Sequence, residues 1–199
     1  MATPKQIARE TRIITAALSE FCKRGFHLAN VDAIAAAATV GKATIYRHYA
    51  SKEGLFMQVF DHILDNIEKT IRERTDFTDF RKGSEIAINS YFEMFATSPM
   101  IFNFLRIFTG DESIPEGNMR KKLAERYLSR SLWPVEEIKR AQASGQIRRD
   151  TDPELVMQGI LGMLHFLIYH WIRTGRPERI TDNTKLVMTL LFEGLLPKV

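Results

Sequence analysis

Thr39-Val40-Gly41-Lys42-Ala43-Thr44-Ile45-Tyr46-Arg47-His48-Tyr49 is the stretch that decides the fold of this chain. It reads as a short helix with a basic, hydroxyl-rich outer face. The run before it, Val31-Asp32-Ala33-Ile34-Ala35-Ala36-Ala37-Ala38, makes another short helix with Val31, Ile34, Ala35 and Ala38 on one side. About three residues separate the two, the connection length of a helix-turn-helix. On a wheel of roughly 100° per residue, Tyr49 falls close to Ile45, so these two face inward together. Ala43, Thr44, Tyr46 and Arg47 fall on the far side. That outward set supplies what a major-groove reader requires: a guanidinium for guanine, a methyl for thymine and hydroxyls for phosphate. The segment predicts DNA binding.

Charge agrees with this reading. The 199 residues carry a net charge of +4, but residues 1–52 hold eight Lys/Arg against three acids, and the remainder hold 20 against 21. The excess positive charge therefore lies with the helix-turn-helix, as phosphate binding requires. A composition of 45% hydrophobic and 26% charged residues is ordinary for a soluble globular protein. The single cysteine, Cys22, forms no internal disulfide and suits a reducing compartment; it reads as a small, semi-buried residue rather than a redox sensor. Met1-Ala2-Thr3-Pro4-Lys5 lacks the apolar stretch of a secretion signal. The longest apolar run, Ile160 to Ile172, is interrupted by Gly162, His165 and His170 and falls short of the ~20 residues that cross a bilayer. The expectation is a soluble, cytoplasmic protein with no membrane association.

From Thr11 to Phe60 the chain resembles the N-terminal domain of the tetracycline-repressor (TetR) family of transcription regulators. The residues that carry the likeness are Ala16-Ala17-Leu18 with Phe21, Gly25-Phe26, Val31-Asp32-x-Ile34-Ala35, Val40, Lys42-x-Thr44-Ile45-Tyr46-Arg47-His48-Tyr49, and Ser51-Lys52-Glu53-x-Leu55-Phe56. Two positions depart from the family pattern, which usually has Gly at 39 and Ser at 41; here they are Thr39 and Gly41. If residue 39 takes a positive φ, a β-branched Thr is strained there by roughly 1–2 kcal/mol. Gly41 still serves as an N-cap, weaker than Ser by only a few tenths of about 1 kcal/mol. Arg47, Thr44 and Ala43 are the residues expected at base edges. Tyr46, Lys42, Lys52, His48 and Asn30 are expected at phosphates, with Lys5 and Arg9 as supplementary contacts.

The rest of the pattern is helical throughout, giving an all-α chain of about nine helices. A helix-turn-helix DNA-binding domain (1–50) is followed by a helical ligand-binding and dimerisation domain (51–199). The first helix runs from Pro4 or Lys5 to Arg24, with Gly25 closing it. Asn30 caps the second helix and Ser51 the fourth. The fourth carries a long apolar stripe of Leu55, Phe56, Val59, Phe60, Ile63, Leu64 and Ile67. Arg81 to Thr97 forms a fifth helix, Ser98 to Gly110 a sixth, and Asp111 to Asn118 a loop. A seventh then extends to Ser144, with a kink imposed by Pro134. Asp152-Pro153 opens an eighth helix that ends at Gly175, and Thr181 or Asp182 opens a ninth that ends near Leu196.

The eighth helix has two apolar faces. One carries Leu155, Gly159, Gly162, Phe166 and His170; the other carries Met157, Leu161, Leu164, Ile168 and Trp171. Such a helix must be covered on both sides. Its own core and a second subunit do this, or a monomer core covers it entirely. The family resemblance implies a C2 dimer built on the last two helices, with Gly159, Gly162, Phe166, Leu190 and Leu191 at the seam. It also implies a small inducer held among the middle helices. Phe92, Phe95, Phe102, Phe108, Trp133, Met163, Leu164, His165 and Ile168 would line a pocket for a lipophilic or aromatic effector. Read alone, aromatics at helical spacing are equally core. No histidine pair has metal-ligand spacing, and no phosphate loop or nucleophile elbow is present. No catalytic residue, metal or cofactor is expected. The predicted function is a dimeric repressor on a palindromic double-stranded operator, released by an effector. The alternative is a DNA-binding protein of this fold controlled by a protein partner.

Overall fold

The Thr3 hydroxyl accepts from Gln6 N–H while the Gln6 side chain accepts from Thr3 N–H, and this reciprocal cap starts α1 (Pro4–Leu28). The computed structural model describes residues 3–98, 101, 118–175 and 178–194. Gly25 interrupts α1 at φ +68°, ψ 176°, at the position where the pattern ends the helix. Phe26 then folds back to stack on Phe21, and Phe56 meets both edge-to-face, with ring centres 4.9 and 5.3 Å apart. Asn30 caps α2 (Val31–Ala37) by accepting from Asp32 N–H at 2.8 Å. Gly41 caps α3 (Lys42–Tyr49) without a side-chain bond. Ser51 Oγ accepts from Gly54 N–H at the start of α4 (Lys52–Arg74). The expected α4 stripe, Leu55 to Ile67, is buried along its length.

Beyond α4 come α5 (Phe80–Thr97), α6 (Asn118–Ser131), α7 (Val135–Ala143), α8 (Pro153–Arg173), a 3-10 turn (Ile180–Asn183) and α9 (Thr184–Phe192). The described residues contain no strand. They divide into two compact units, one of residues 3–66, 101 and 118–128, the other of 67–98, 129–175 and 178–194. In the first, Ile13, Ala17, Val31, Ile34, Ala38, Ile45, Leu55 and Val59 form the interior, and buried Asp61 of α4 pairs with Arg126 of α6. In the second, Phe80, Val135, Ile138, Ala141, Met157 and Leu161 form a core cluster. Gln146 ties its edge, accepting from Phe80 N–H and donating to Thr78 O.

Three expectations are corrected, and a fourth lies outside the described residues. Pro134 does not kink one long helix but separates two, α6 and α7, and itself begins the second. Proline removes the amide that would continue the ladder and clashes with the carbonyl four residues back, so the chain restarts rather than bends. The last helix opens through the 3-10 turn, and α9 ends at Phe192, before a positive-φ Gly194, rather than near Leu196. Helix α8 spans 21 residues, and its most apolar stretch has a mean hydropathy of 1.5. By length and composition alone it is therefore long enough to cross a membrane, although its Met157, Leu161, Leu164, Ile168 and Trp171 are buried in the second unit. The expected sixth helix and the loop after it, with Met100, Phe102, Phe104 and Phe108, lie outside the described residues.

Candidate nucleic-acid interface

Local chemistry builds the helix-turn-helix. Helix α2 ends as Ala38, Thr39 and Val40 donate backbone bonds to Ile34, Ala36 and Ala35 at 2.9–3.1 Å. Turning the chain this sharply places Thr39 at φ +56°. That is the left-handed region in which a Cβ, and above all a branched one, is strained. The strain expected from the Thr39 departure is present. Arg12 of α1 donates to Ala38 O at 3.3 Å and secures the same turn from behind.

Helix α3 presents the predicted faces. Ile45 is buried and Tyr49 half-buried, whereas Lys42, Ala43, Tyr46, Arg47 and His48 are exposed and Thr44 is partly so. Four of the residues predicted to meet phosphates are already engaged within the protein. Lys42 Nζ donates to Asp32 Oδ2 at 2.9 Å, and this hydrogen bond and attraction raise the lysine pKa. His48 Nε2 accepts from Arg9 of α1 at 2.9 Å. Asn30 Oδ1 is occupied as the α2 cap. Lys52 donates to His27 O at 2.9 Å, with its ammonium 5.0 Å from the Phe26 ring centre, so it closes the α1 extension as well as bordering the basic face. Arg47 is exposed at the middle of the outer face.

One functional glycine escapes a reading by motif. A Cβ at Gly54 would stand 2.0 Å from the Tyr49 carbonyl oxygen, so only glycine lets α4 press against the end of α3. The signal in the chain was the glycine in the unassigned place of Ser51-Lys52-Glu53-x-Leu55-Phe56.

The residues predicted for an effector divide differently. Phe92 and Phe95 are fully buried on α5, and Leu164 and Ile168 are buried on α8, which packs against it. Between these helices the Tyr91 hydroxyl and His165 Nε2 meet at 2.8 Å. Burial pushes the His165 pKa down to about 4. Met163 is half-buried. Trp133 packs edge-on to Phe77 and carries the Arg72 guanidinium 4.2 Å from its ring centre. On the opposite side of α8, Leu155, Gly159, Gly162, Phe166 and His170 are exposed, while Leu190 and Leu191 of α9 are half-buried. Cys22 is partly buried and its thiol pKa is pushed up to about 12, which suits packing and not thiolate chemistry.

Residues 13–59 match the family described as bacterial regulatory proteins, tetR family. Through this segment the chain is similar to TetR-family transcriptional regulators. Along nearly its whole length it is similar to the HTH-type transcriptional regulator YdgC of Bacillus subtilis, 26% identical over 98% of this chain and 96% of that one. It is 27% identical to the HTH-type transcriptional repressor DhaR of Mycobacterium sp. strain GP1, over 89% of this chain and 87% of the other. Its fold matches that of the regulator FadR from Bacillus subtilis, solved in complex with stearoyl-CoA, at a TM-score of 0.74 and 20% identity, covering 94% and 99% of the two chains. The matched segment contains α2 and α3 whole, together with parts of α1 and α4.

Proposed function

We propose that this regulator is a homodimeric repressor that binds a palindromic operator and is released by a lipophilic effector. The observation that carries the dimer is the outer face of α8. Leu155 and Phe166 are each 67% exposed, and among the described residues a Cβ added at Gly159 or Gly162 would meet nothing within 4 Å. These residues recur at helical spacing as one apolar stripe, opposite the stripe that fills the core. A second copy of α8 covers that stripe, and the two glycines allow close approach. Two recognition helices then enter successive major grooves about 34–36 Å apart, which a single short reader needs for genomic specificity. Arg47, Thr44 and Ala43 read base edges; Lys42, Tyr46, His48, Lys52 and Asn30 meet phosphates. A regulator acting on chromosomal DNA in this way works in the cytoplasm.

The lipophilic class of effector is supported by the apolar α5 and α8 surfaces, which carry one buried polar pair, Tyr91 and His165. The FadR structure with stearoyl-CoA shows that a relative of this fold holds a long acyl chain. The division into a DNA-binding segment (1–50) and a sensing segment (51–199) belongs to the same reading.

Two measurements test it. Gly162→Leu should convert a sedimenting dimer into a monomer, because a close crossing has no room for the added side chain; a wild-type monomer at micromolar concentration refutes the dimer. A long-chain acyl-CoA at a hundredfold excess over its Kd should stabilise the protein by about 2.7 kcal/mol and weaken DNA binding, with DNA weakening acyl-CoA binding by the same factor. If neither acyl-CoA nor smaller aromatic compounds stabilise it, control by a protein partner becomes the better reading.

A further inference from the structure

Asp32 is the one acidic residue between Val31 and Ala50. It stands in the first turn of α2, and it holds the ammonium of Lys42, the first residue of α3, at 2.9 Å. Both side chains are well exposed, 62% for Asp32 and 49% for Lys42. A pair this open to water adds little or nothing measurable to stability. The packing of α2 on α3 is already fixed by buried Val31, Ile34, Ala35, Ala38 and Ile45. The stability of the ion pair therefore does not account for its place on the basic surface of the helix-turn-helix.

Its electrostatic consequence is larger. A lysine free to meet phosphates strengthens binding to every sequence alike. A lysine held by a carboxylate does not, and the carboxylate itself repels the DNA backbone. We propose that Asp32 is a specificity-determining residue, which withholds Lys42 from DNA phosphates until α3 is seated on its own sequence. In a loose complex the phosphates approach Lys42 too weakly to displace Asp32, and the 2.9 Å pair persists. Seating the N-terminus of α3 in the groove presses phosphates closer to Lys42 and drives Asp32 away, so the exchange occurs only where base contacts offset it. This inference rests on the reading of Lys42 as a DNA contact.

The test uses the full-length protein with two probes: the tightest duplex recovered by in-vitro selection with wild type, and a scrambled duplex of the same composition. Binding is followed across a potassium chloride series. Asp32→Asn should bind the scrambled duplex several-fold more tightly. Its salt slope on that duplex should steepen by about 0.9, roughly a further threefold loss over a fourfold rise in salt. On the selected duplex the slope should stay unchanged, so the ratio of affinities falls several-fold. Asp32→Glu, which keeps the ion pair, should retain the wild-type ratio. In a Lys42→Ala background, Asp32→Asn should relieve the repulsion on both duplexes alike and leave the ratio of affinities unchanged. If Lys42→Ala weakens binding but Asp32→Asn leaves the scrambled duplex unaffected, the withholding role is overturned and the interface stands. If Lys42→Ala changes neither duplex, Lys42 is not a DNA contact and both readings fall.

Discussion

Replacing Gly54 with alanine sets two effects of opposite sign against each other. In an ordinary helix, alanine is better than glycine by roughly 1 kcal/mol, so a view that sees only propensity predicts a small gain. At this position the new methyl would lie 2.0 Å from Tyr49 O and 3.2 Å from its carbonyl carbon, far inside van der Waals contact. The carbonyl cannot swing aside freely. It accepts from Ser51 N–H at 2.7 Å, and the residue between them, Ala50, already sits at φ +61°. Relief must come from moving the end of α3 away from α4, against the Phe21–Phe26–Phe56 packing that anchors α4. Overpacking of this kind costs about 1–3 kcal/mol, and contact with rigid backbone puts Gly54→Ala at the upper end, a net loss of about 2–3 kcal/mol. For a chain of this size that is a fall in Tm of roughly 5–10 °C. Urea unfolding followed by circular dichroism measures it, and DNA affinity should fall in parallel because α3 is displaced. A variant as stable as wild type, or more so, would show that α3 and α4 part without cost and that their close approach does not position the reader.

Thr39→Gly should stabilise the protein by about 0.5–1 kcal/mol in the same urea assay. It removes roughly 1–2 kcal/mol of left-handed strain and returns part of that as glycine's extra freedom in the unfolded chain. A loss of stability would mean that the threonine side chain contributes more than its backbone strain takes away. His165 supplies a pH test. Its folded pKa of about 4 lies below the ordinary value near 6.5. The unfolded chain therefore takes up a proton first, and the stability this histidine allows is complete above about pH 6.5 and is lost as the pH falls towards 4. His165→Gln keeps an acceptor for Tyr91 but does not titrate, so it should gain on wild type by up to about 2 kcal/mol between pH 7 and 5; a constant difference would refute the argument. Arg47→Ala should lose roughly 1–3 kcal/mol on the selected duplex and much less on a scrambled one, and equal losses on both would remove Arg47 from the base-reading set.

Features governed by a residue and its near neighbours were legible in the sequence. Gly25 ends the first helix, Asn30 caps the second, and Asp152 accepts from the amides of Glu154 and Leu155 to open α8, because each acts through backbone conformation or a bond within three residues. The burial of Ile45 and the exposure of Arg47 followed from the helical period alone. Pro134 shows where such reasoning stops. A proline inside a helical pattern is compatible with a kink or a break, and the choice depends on what the flanking residues pack against. Here Val135 and Ile138 enter the second core, and that fixes α7 as a separate helix. The Asp32–Lys42 pair and the contact of Gly54 with Tyr49 join residues on different helices, so neither has a local signature.

Helix α8 carries this distinction furthest. Its sequence displays two apolar stripes of nearly equal strength, and periodicity cannot rank them. The structure ranks them through their neighbours: Met157 and Leu161 join Phe80, Val135 and Ile138, while Leu155 and Phe166 remain in the open. The outward stripe also holds both glycines, residues that weaken a solvated helix by about 1 kcal/mol each and bring no compensating contact within the protomer. A helix that exposes a phenylalanine beside its smallest residues has the relief of a close helix–helix crossing, with Phe166 as the projection and Gly159 and Gly162 as the recess. The core face is thus explained by the chain itself. In the proposed dimer the outer face is covered by a second copy of α8, which supplies the same projection and recess in return.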